Sequence, residues 1–190
     1  MHIPYEAPQG RRINALGAYF SHGVEAGRLA FTLYAVLPAS RAKKRRTALA
    51  ERAAAHGLRP EEVGTIDSEQ LIHFIGRIAG RPAIYSAGWQ RERPLRIWLD
   101  NYSVHKSERV RQEQPAWEKA GIMLCYLPSY SPELSKIEPI WQDVKYRELP
   151  QRSHDMLGDL KGAVAAGLTK KAADLLAQHQ KHAQLLQRAA

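Results

Sequence analysis

The 190-residue sequence lacks the features that mark secreted and membrane proteins. It has no run of about 18 apolar residues, which is the length needed to span a membrane. The first residues, MHIPYEAPQGRR, contain no apolar run and are not typical of a secretory signal. The single cysteine, Cys125, lies in the apolar run IMLCYL and cannot form an internal disulfide. These absences predict a cytoplasmic protein in a reducing compartment, without a membrane partner.

Acidic residues are few relative to basic ones. Lys and Arg number 28 against 19 Asp and Glu, which gives a formal net charge of +9. Such an excess attracts polyanions through phosphate contacts, so it favours DNA or another nucleic acid as a partner. Two basic segments are candidate phosphate contacts, although a solvated basic face would look the same. Their residues are Arg41, Lys43, Lys44, Arg45, Arg46, Arg91, Arg93 and Arg96.

The order of predicted elements indicates an α/β fold. Hydrophobic periodicity and turn residues predict a β-hairpin first and then strands that alternate with helices. This order favours a mixed sheet flanked by helices. The predicted strands are 13–21, 27–37, 95–100 and 122–128, and the predicted helices are 40–57, 67–80, 107–121, one ending near 149, and a tail over 153–190. Residues 49–66 also match a helix-turn-helix, which would be a separate DNA-binding element.

Two acidic residues follow neighbouring strands of the predicted sheet. Asp100 ends the strand LRIWLD, and Glu138 opens the helix after the next strand. Sites in such sheets lie at the carboxyl ends of strands, and Mg²⁺ commonly takes one or two carboxylates plus substrate phosphates. Local roles fit as well, because Asp100 can form an Asx-type turn and SKIE (135–138) matches a capping box with Ser135 as N-cap. For Glu138, the spacing alone favours the cap.

The two motifs that contain these acids are LDNYSVHKS (99–107) and LPSYSPELSKIEPIW (127–141). They resemble the catalytic core of mariner-type insertion-sequence transposases, which are DDE endonucleases with an RNase H-like fold. The family pattern is Asp-Asn at a strand end with a His four residues later, then Leu-Pro-x-Tyr-Ser-Pro-x-Leu-x-x-Ile-Glu-x-x-Trp. The resemblance runs from about residue 9 to 150, and 37 residues separate the two acids, as is usual in the family.

The resemblance implies a partial RNase H-like DDE transposase core over residues 1–150 and a helical tail over 151–190. Asp100 and Glu138 would be the second and third catalytic acids and the ligands of Mg²⁺ or Mn²⁺. Asn101 and His105 would shape the site. For His105 the alternative is a purely structural role, as a hydrogen-bonded residue at the start of a helix. The implied reaction is metal-dependent cleavage of DNA phosphodiesters and strand transfer, that is, DNA integration. Transposases generally act as dimers, so a homodimer is also expected.

The first acid of the family triad has no counterpart in this sequence. In the family it lies on the first, central strand, upstream of the Gly-Arg-Arg segment, whereas here Met1 stands nine residues before Gly10. The nearest acids are Glu6, Glu25 and Asp67, and none lies in a matching position. We therefore expect a truncated domain that lacks the first central strand, binds metal weakly and is inactive. The alternative is a non-catalytic basic nucleic-acid-binding remnant.

Overall fold

The computed structural model describes residues 11–38, 48–81, 88–129, 131–149 and 154–189. The chain divides into two compact units: Met1–Thr65 with Trp141–Ala190, and Ile66–Ile140. Within the described ranges the elements are β1 (Arg12–Tyr19), β2 (Leu29–Val36), α1 (Leu49–Ala54), α2 (Ser68–Ile78), β3 (Leu95–Leu99), α3 (Glu108–Lys119), β4 (Ile122–Tyr126), α4 (Glu138–Asp143) and α5 (Leu157–Ala189). A π-helical segment, Val144–Glu148, continues α4. The fold is mixed α/β, as the sequence predicts.

β1 and β2 form the predicted antiparallel hairpin, which lies in the first unit. The register pairs Arg12 with Val36 and Tyr19 with Leu29. Gly27 precedes β2 and has a φ of +88°, a left-handed conformation that glycine adopts without steric cost. A Cβ atom at Gly27 would lie 2.7 Å from the Cβ of His179 on α5. The hairpin therefore needs glycine here for its backbone and for the close approach of α5.

The core of the first unit joins β2 and α1 to the start of α5. Its buried members are Ala35, Ala53, Leu58 and Leu157. The 3₁₀ turn Pro60–Glu62 is tied to α5 by an ion pair with 2.7 Å between Glu62 Oε1 and Lys161 Nζ. Burial and this ion pair together hold the long C-terminal helix on the hairpin.

The helix-turn-helix interpretation of residues 49–66 is wrong. α1 has only six residues, and after Gly57 the chain forms the single 3₁₀ turn Pro60–Glu62 in place of a second helix. Val63 then makes a parallel bridge to Ala35 of β2, so the backbone is extended where a second helix would continue. A three-residue turn is too short to serve as a recognition helix.

The second unit contains a parallel strand pair, β3 and β4, joined by α3. The register runs from Leu95 opposite Ile122 to Leu99 opposite Tyr126. α3 packs on β4, and its Trp117 is only 2% exposed. The face that points away from α3 carries exposed apolar side chains, namely Trp98 and Met123.

The sequence predicts a mixed sheet that lacks its first central strand. The described residues contain two sheets of two strands each, β1 with β2 and β3 with β4. Each pair joins strands that follow one another along the chain, through a short turn or through one crossover helix. Among the described helices, none is both long enough and apolar enough to cross a membrane.

Candidate active site at the carboxyl ends of β3 and β4

Asn101 connects the carboxyl ends of the two parallel strands. The Leu127 amide donates to the carbonyl oxygen of Leu99 at 2.8 Å, which extends the ladder by one residue. The side-chain Nδ2 of Asn101 donates to the carbonyl oxygen of Leu127, also at 2.8 Å. Asn101 therefore fixes the position where the chain leaves β4, directly beside Asp100.

One carboxylate oxygen of Asp100 is held by local hydrogen bonds. Its Oδ1 accepts from the Tyr102 amide at 3.0 Å, which is the expected Asx-type turn. The Nδ1 atom of His105 lies 2.8 Å from the same oxygen and 3.2 Å from the Asp100 carbonyl oxygen. Both neighbours of Nδ1 are acceptors, so this nitrogen carries the hydrogen. The Asp100 side chain is 60% exposed, and within the described residues its Oδ2 makes no hydrogen bond.

His105 is held in place from several sides. Its side chain is 14% exposed, and its ring meets that of Tyr102 edge to face, with centroids 5.9 Å apart. Its carbonyl oxygen accepts from the Tyr126 hydroxyl at 2.9 Å, and that hydroxyl lies 3.2 Å from Gln114 Nε2. The structure places His105 against Asp100, and a site-shaping role for it stays a prediction. The sequence did not indicate Tyr102 and Tyr126 as part of this network; period-two alternation along β4 places Tyr126 on the face toward α3.

Glu138 is the first residue of α4, whereas the capping-box interpretation makes it the third helical residue after the N-cap Ser135. In that interpretation the Ser135 carbonyl would accept from the amide of residue 139. Residue 139 is proline, which has no N–H, and the Ser135 carbonyl instead accepts from the Glu138 amide at 3.1 Å. The half-buried Glu138 carboxylate makes no hydrogen bond or ion pair to another described residue. It is therefore not used as a cap within these ranges.

The structure joins Asp100 to His105 directly, whereas Asn101 bonds to the Leu127 carbonyl and, within the described residues, Glu138 bonds to none of them. Among the described residues, no three His, Cys, Asp or Glu side chains converge as a ready-made metal site. The donor chemistry nevertheless fits a hard divalent cation, because Asp100 and Glu138 both present carboxylate oxygens that no other described residue bonds. Mg²⁺ usually needs no more protein ligands than this, since water and substrate phosphates complete its shell.

The candidate phosphate-binding residues fall into two groups. Arg41, Lys43, Lys44, Arg45 and Arg46 lie outside the described residues. Arg91 uses its guanidinium locally, since Nε donates to the Arg93 carbonyl at 3.0 Å and Nη1 donates to the Ala79 carbonyl. It therefore has a structural role at the end of α2 that the sequence did not indicate. Arg93 and Arg96 are exposed. Contact between the candidate phosphate-binding residues and DNA stays a prediction.

An acid at the end of one parallel strand and another at the start of the helix after its neighbour are typical of metal-dependent phosphoryl-transfer enzymes with α/β folds. The sequence model of the DDE superfamily endonuclease family matches residues 35–161, about two thirds of the chain, which include Asp100 and Glu138. The chain belongs to this family of DDE superfamily endonucleases. Such domains act on DNA and generally use divalent metal ions. No curated protein matches the chain.

Proposed function

We propose that this chain is the catalytic part of a mariner-type insertion-sequence transposase, in which Asp100 and Glu138 bind Mg²⁺ or Mn²⁺. The observation that carries the proposal is the position of Asp100. It lies at the carboxyl end of β3, inside the family match, with one oxygen held by Tyr102 and His105 and the other bonded by none of the described residues. The long motif that ends in Glu138 and Trp141 supports the mariner type, because it meets every fixed position of that pattern.

The proposed reaction is cleavage of a DNA phosphodiester, followed by attack of the freed 3′-hydroxyl on target DNA. A bound metal would supply Lewis-acid stabilisation of the attacking and leaving oxygens. His105 and the Tyr102 amide hold Asp100 in one orientation, and Asn101 fixes the adjacent end of β4. These residues position the carboxylate before substrate arrives, so little reorganisation is required at the moment of reaction.

An RNase H-like arrangement is part of the proposal. The separate two-stranded sheets support it, because that fold places one further strand between a hairpin and a parallel pair. With two carboxylates, we propose that the 190-residue chain by itself binds metal weakly and turns over little or no DNA.

Mn²⁺ binding by the purified chain tests the metal site. We expect weak binding that falls about tenfold or more in Asp100→Asn and in Glu138→Gln, since each removes a charged ligand. Glu133→Gln is the matched control, because Glu133 is an exposed glutamate in the same segment. Equal behaviour of the Glu133 and Glu138 variants would contradict the assignment. Nicking of supercoiled plasmid that requires Mn²⁺ and Asp100 would instead overturn the proposed inactivity.

The net charge of +9 favours a second candidate, a non-catalytic nucleic-acid-binding function. Binding of this kind depends on phosphate contacts and weakens steeply with salt. A mobility shift of duplex DNA that is salt-dependent, but unchanged by EDTA and by Asp100→Ala, would favour it over the metal-dependent function. A shift strengthened by Mn²⁺ in the wild type alone would favour the nuclease.

A further inference from the structure

Two exposed aromatic side chains flank Asp100 along the chain. Trp98 is 63% exposed and Tyr102 is 58% exposed. Tryptophan side chains are on average well buried in folded proteins. Exposed aromatic side chains of this size are enriched at binding surfaces. Because they lie on either side of the candidate metal-binding carboxylate, they are placed to contact the substrate of this site.

Trp98 lies on the same face of the strand as Asp100. Along β3 the exposed side chains of Arg96 and Trp98 alternate with half-buried ones, and exposed Asp100 continues the alternation. A rise of about 3.3 Å per residue places Trp98 about 6.6 Å from Asp100 along the strand. Met123 of β4 is paired with Arg96 and is also exposed. This face thus presents an indole ring between a guanidinium and the carboxylate.

Tyr102 is fixed on the other side of Asp100. Its amide donates to Asp100 Oδ1, and its ring packs edge to face with His105 at an interplanar angle of 78°. Despite these contacts, more than half of its surface remains exposed. The ring is therefore oriented in advance and still open to a ligand.

We propose that Trp98 and Tyr102 stack on unpaired bases next to the phosphate that lies at Asp100, so that the preferred substrate is DNA with single-stranded or unpaired nucleotides at the reacting position. Bases inside a duplex are covered on both faces by their neighbours, so away from the duplex ends an exposed ring can stack only on a base that has left the duplex. The exposed cations Arg96 and Lys106 match the charge of the attached phosphates. The inference rests on the proposed function, because Asp100 marks where the phosphate lies.

Equilibrium binding of labelled DNA to the full 190-residue chain tests this inference. The probes are a short duplex with a single-stranded 3′ extension and the same duplex with blunt ends, in Ca²⁺ buffer. We expect Trp98→Ala to weaken binding of the extended probe roughly 5- to 100-fold, as loss of one stacked base does, with little effect on the blunt probe. Tyr102→Ala is expected to act in the same direction, and Trp98→Phe to restore most of the affinity.

Met123→Ala is the matched control, since Met123 is exposed on the same face but cannot stack. It should leave both affinities unchanged. Equal losses on the two probes, no loss in Trp98→Ala, or failure of Trp98→Phe to restore affinity would overturn the proposal. The DNA-free chain could instead self-associate through this face. If both Trp98→Ala and Met123→Ala abolish such self-association, the face is a protein contact and the proposal is overturned. Because this assay needs neither Mn²⁺ nor cleavage, failure of the metal site alone would leave a Trp98-dependent preference intact.

Discussion

The Nδ1 atom of His105 lies 2.8 Å from Oδ1 of Asp100, five residues earlier in the chain. The pair forms because the chain turns at Asp100 and enters the short 3₁₀ segment Ser103–Lys106, which folds His105 back toward the end of β3. The imidazole thereby holds Oδ1, while Oδ2 is bonded by no residue in the described part of the chain. We therefore predict that His105 positions the candidate metal ligand.

Removal of this imidazole should weaken metal binding without removing a ligand. In His105→Ala we expect the affinity for Mn²⁺ to fall about tenfold, which is the lower end of what loss of a partner behind a ligand costs. His182→Ala is a suitable control, because His182 is exposed on α5. Calorimetric titration of Mn²⁺ measures both. Equal affinities in the His105 and His182 variants would show that Asp100 is positioned without the imidazole.

Asn101 should contribute to stability independently of metal. Its Nδ2 donates to the Leu127 carbonyl at 2.8 Å, and loss of one partner leaves a part-buried carbonyl without its hydrogen bond. We expect Asn101→Ala to lower the free energy of unfolding by about 1 kcal/mol. Urea denaturation in EDTA measures this, and unchanged stability would argue against a structural role at the strand ends.

Glu62 should make the first unit sensitive to acid. Hydrogen bonds from Lys161, and then from the Arg59 backbone and side chain, lower the pKa of Glu62 from 4.5 to about 2. A carboxyl whose folded-state pKa is depressed stabilises the fold above its unfolded value, and this contribution disappears as the pH falls from about 4.5 to 2. Glu62→Gln should remove on the order of 1–3 kcal/mol at pH 7 and flatten the pH dependence in that window. Urea denaturation across the window checks this.

The control for that experiment is Glu61→Gln. Glu61 is paired with Arg59 at 3.3 Å but is 63% exposed, and exposed ion pairs contribute about 0–1 kcal/mol. Its pH profile should follow that of the wild type. A Glu62→Gln profile as steep as the wild-type profile would contradict the assigned role.

Alanine substitutions at two glycines of the hairpin connection should distinguish the cost of backbone strain from the cost of a packing clash. Gly23 and Gly27 both have positive φ, but a Cβ at Gly23 meets nothing within 4 Å, whereas one at Gly27 would lie 2.7 Å from His179 Cβ. Gly23→Ala should cost about 1–2 kcal/mol from the left-handed backbone alone. Gly27→Ala should cost more, because α5 must also shift. Equal losses in thermal or urea unfolding would mean that α5 does not approach the hairpin this closely in solution.

Local patterns were sufficient where neighbouring residues decide the conformation. The hairpin, β3 and β4 follow from apolar residues bounded by glycine and proline, and the Asx-type turn follows from Asp-Asn after a strand. The helix start at Glu138 is as predicted, but the capping-box alternative fails because it considers only Ser135 and Glu138, while Pro139 has no N–H to donate to the Ser135 carbonyl. Likewise, Gly57 and Pro60 resemble a helix–turn–helix connection, but the bridge from Val63 to Ala35 keeps the chain extended.

The sequence by itself determined the family, the candidate acids and the order of strands and helices, because these depend on residue identity and short-range spacing. Only the tertiary structure decided how Asp100 is held by His105 and Tyr102, and how Asn101 joins two strands through Leu127. It also decided that Arg91 is occupied by backbone carbonyls and that Trp98 is exposed beside Asp100. The physical reason is that these contacts depend on how strand ends and crossover helices meet in space, which periodicity along one segment does not encode.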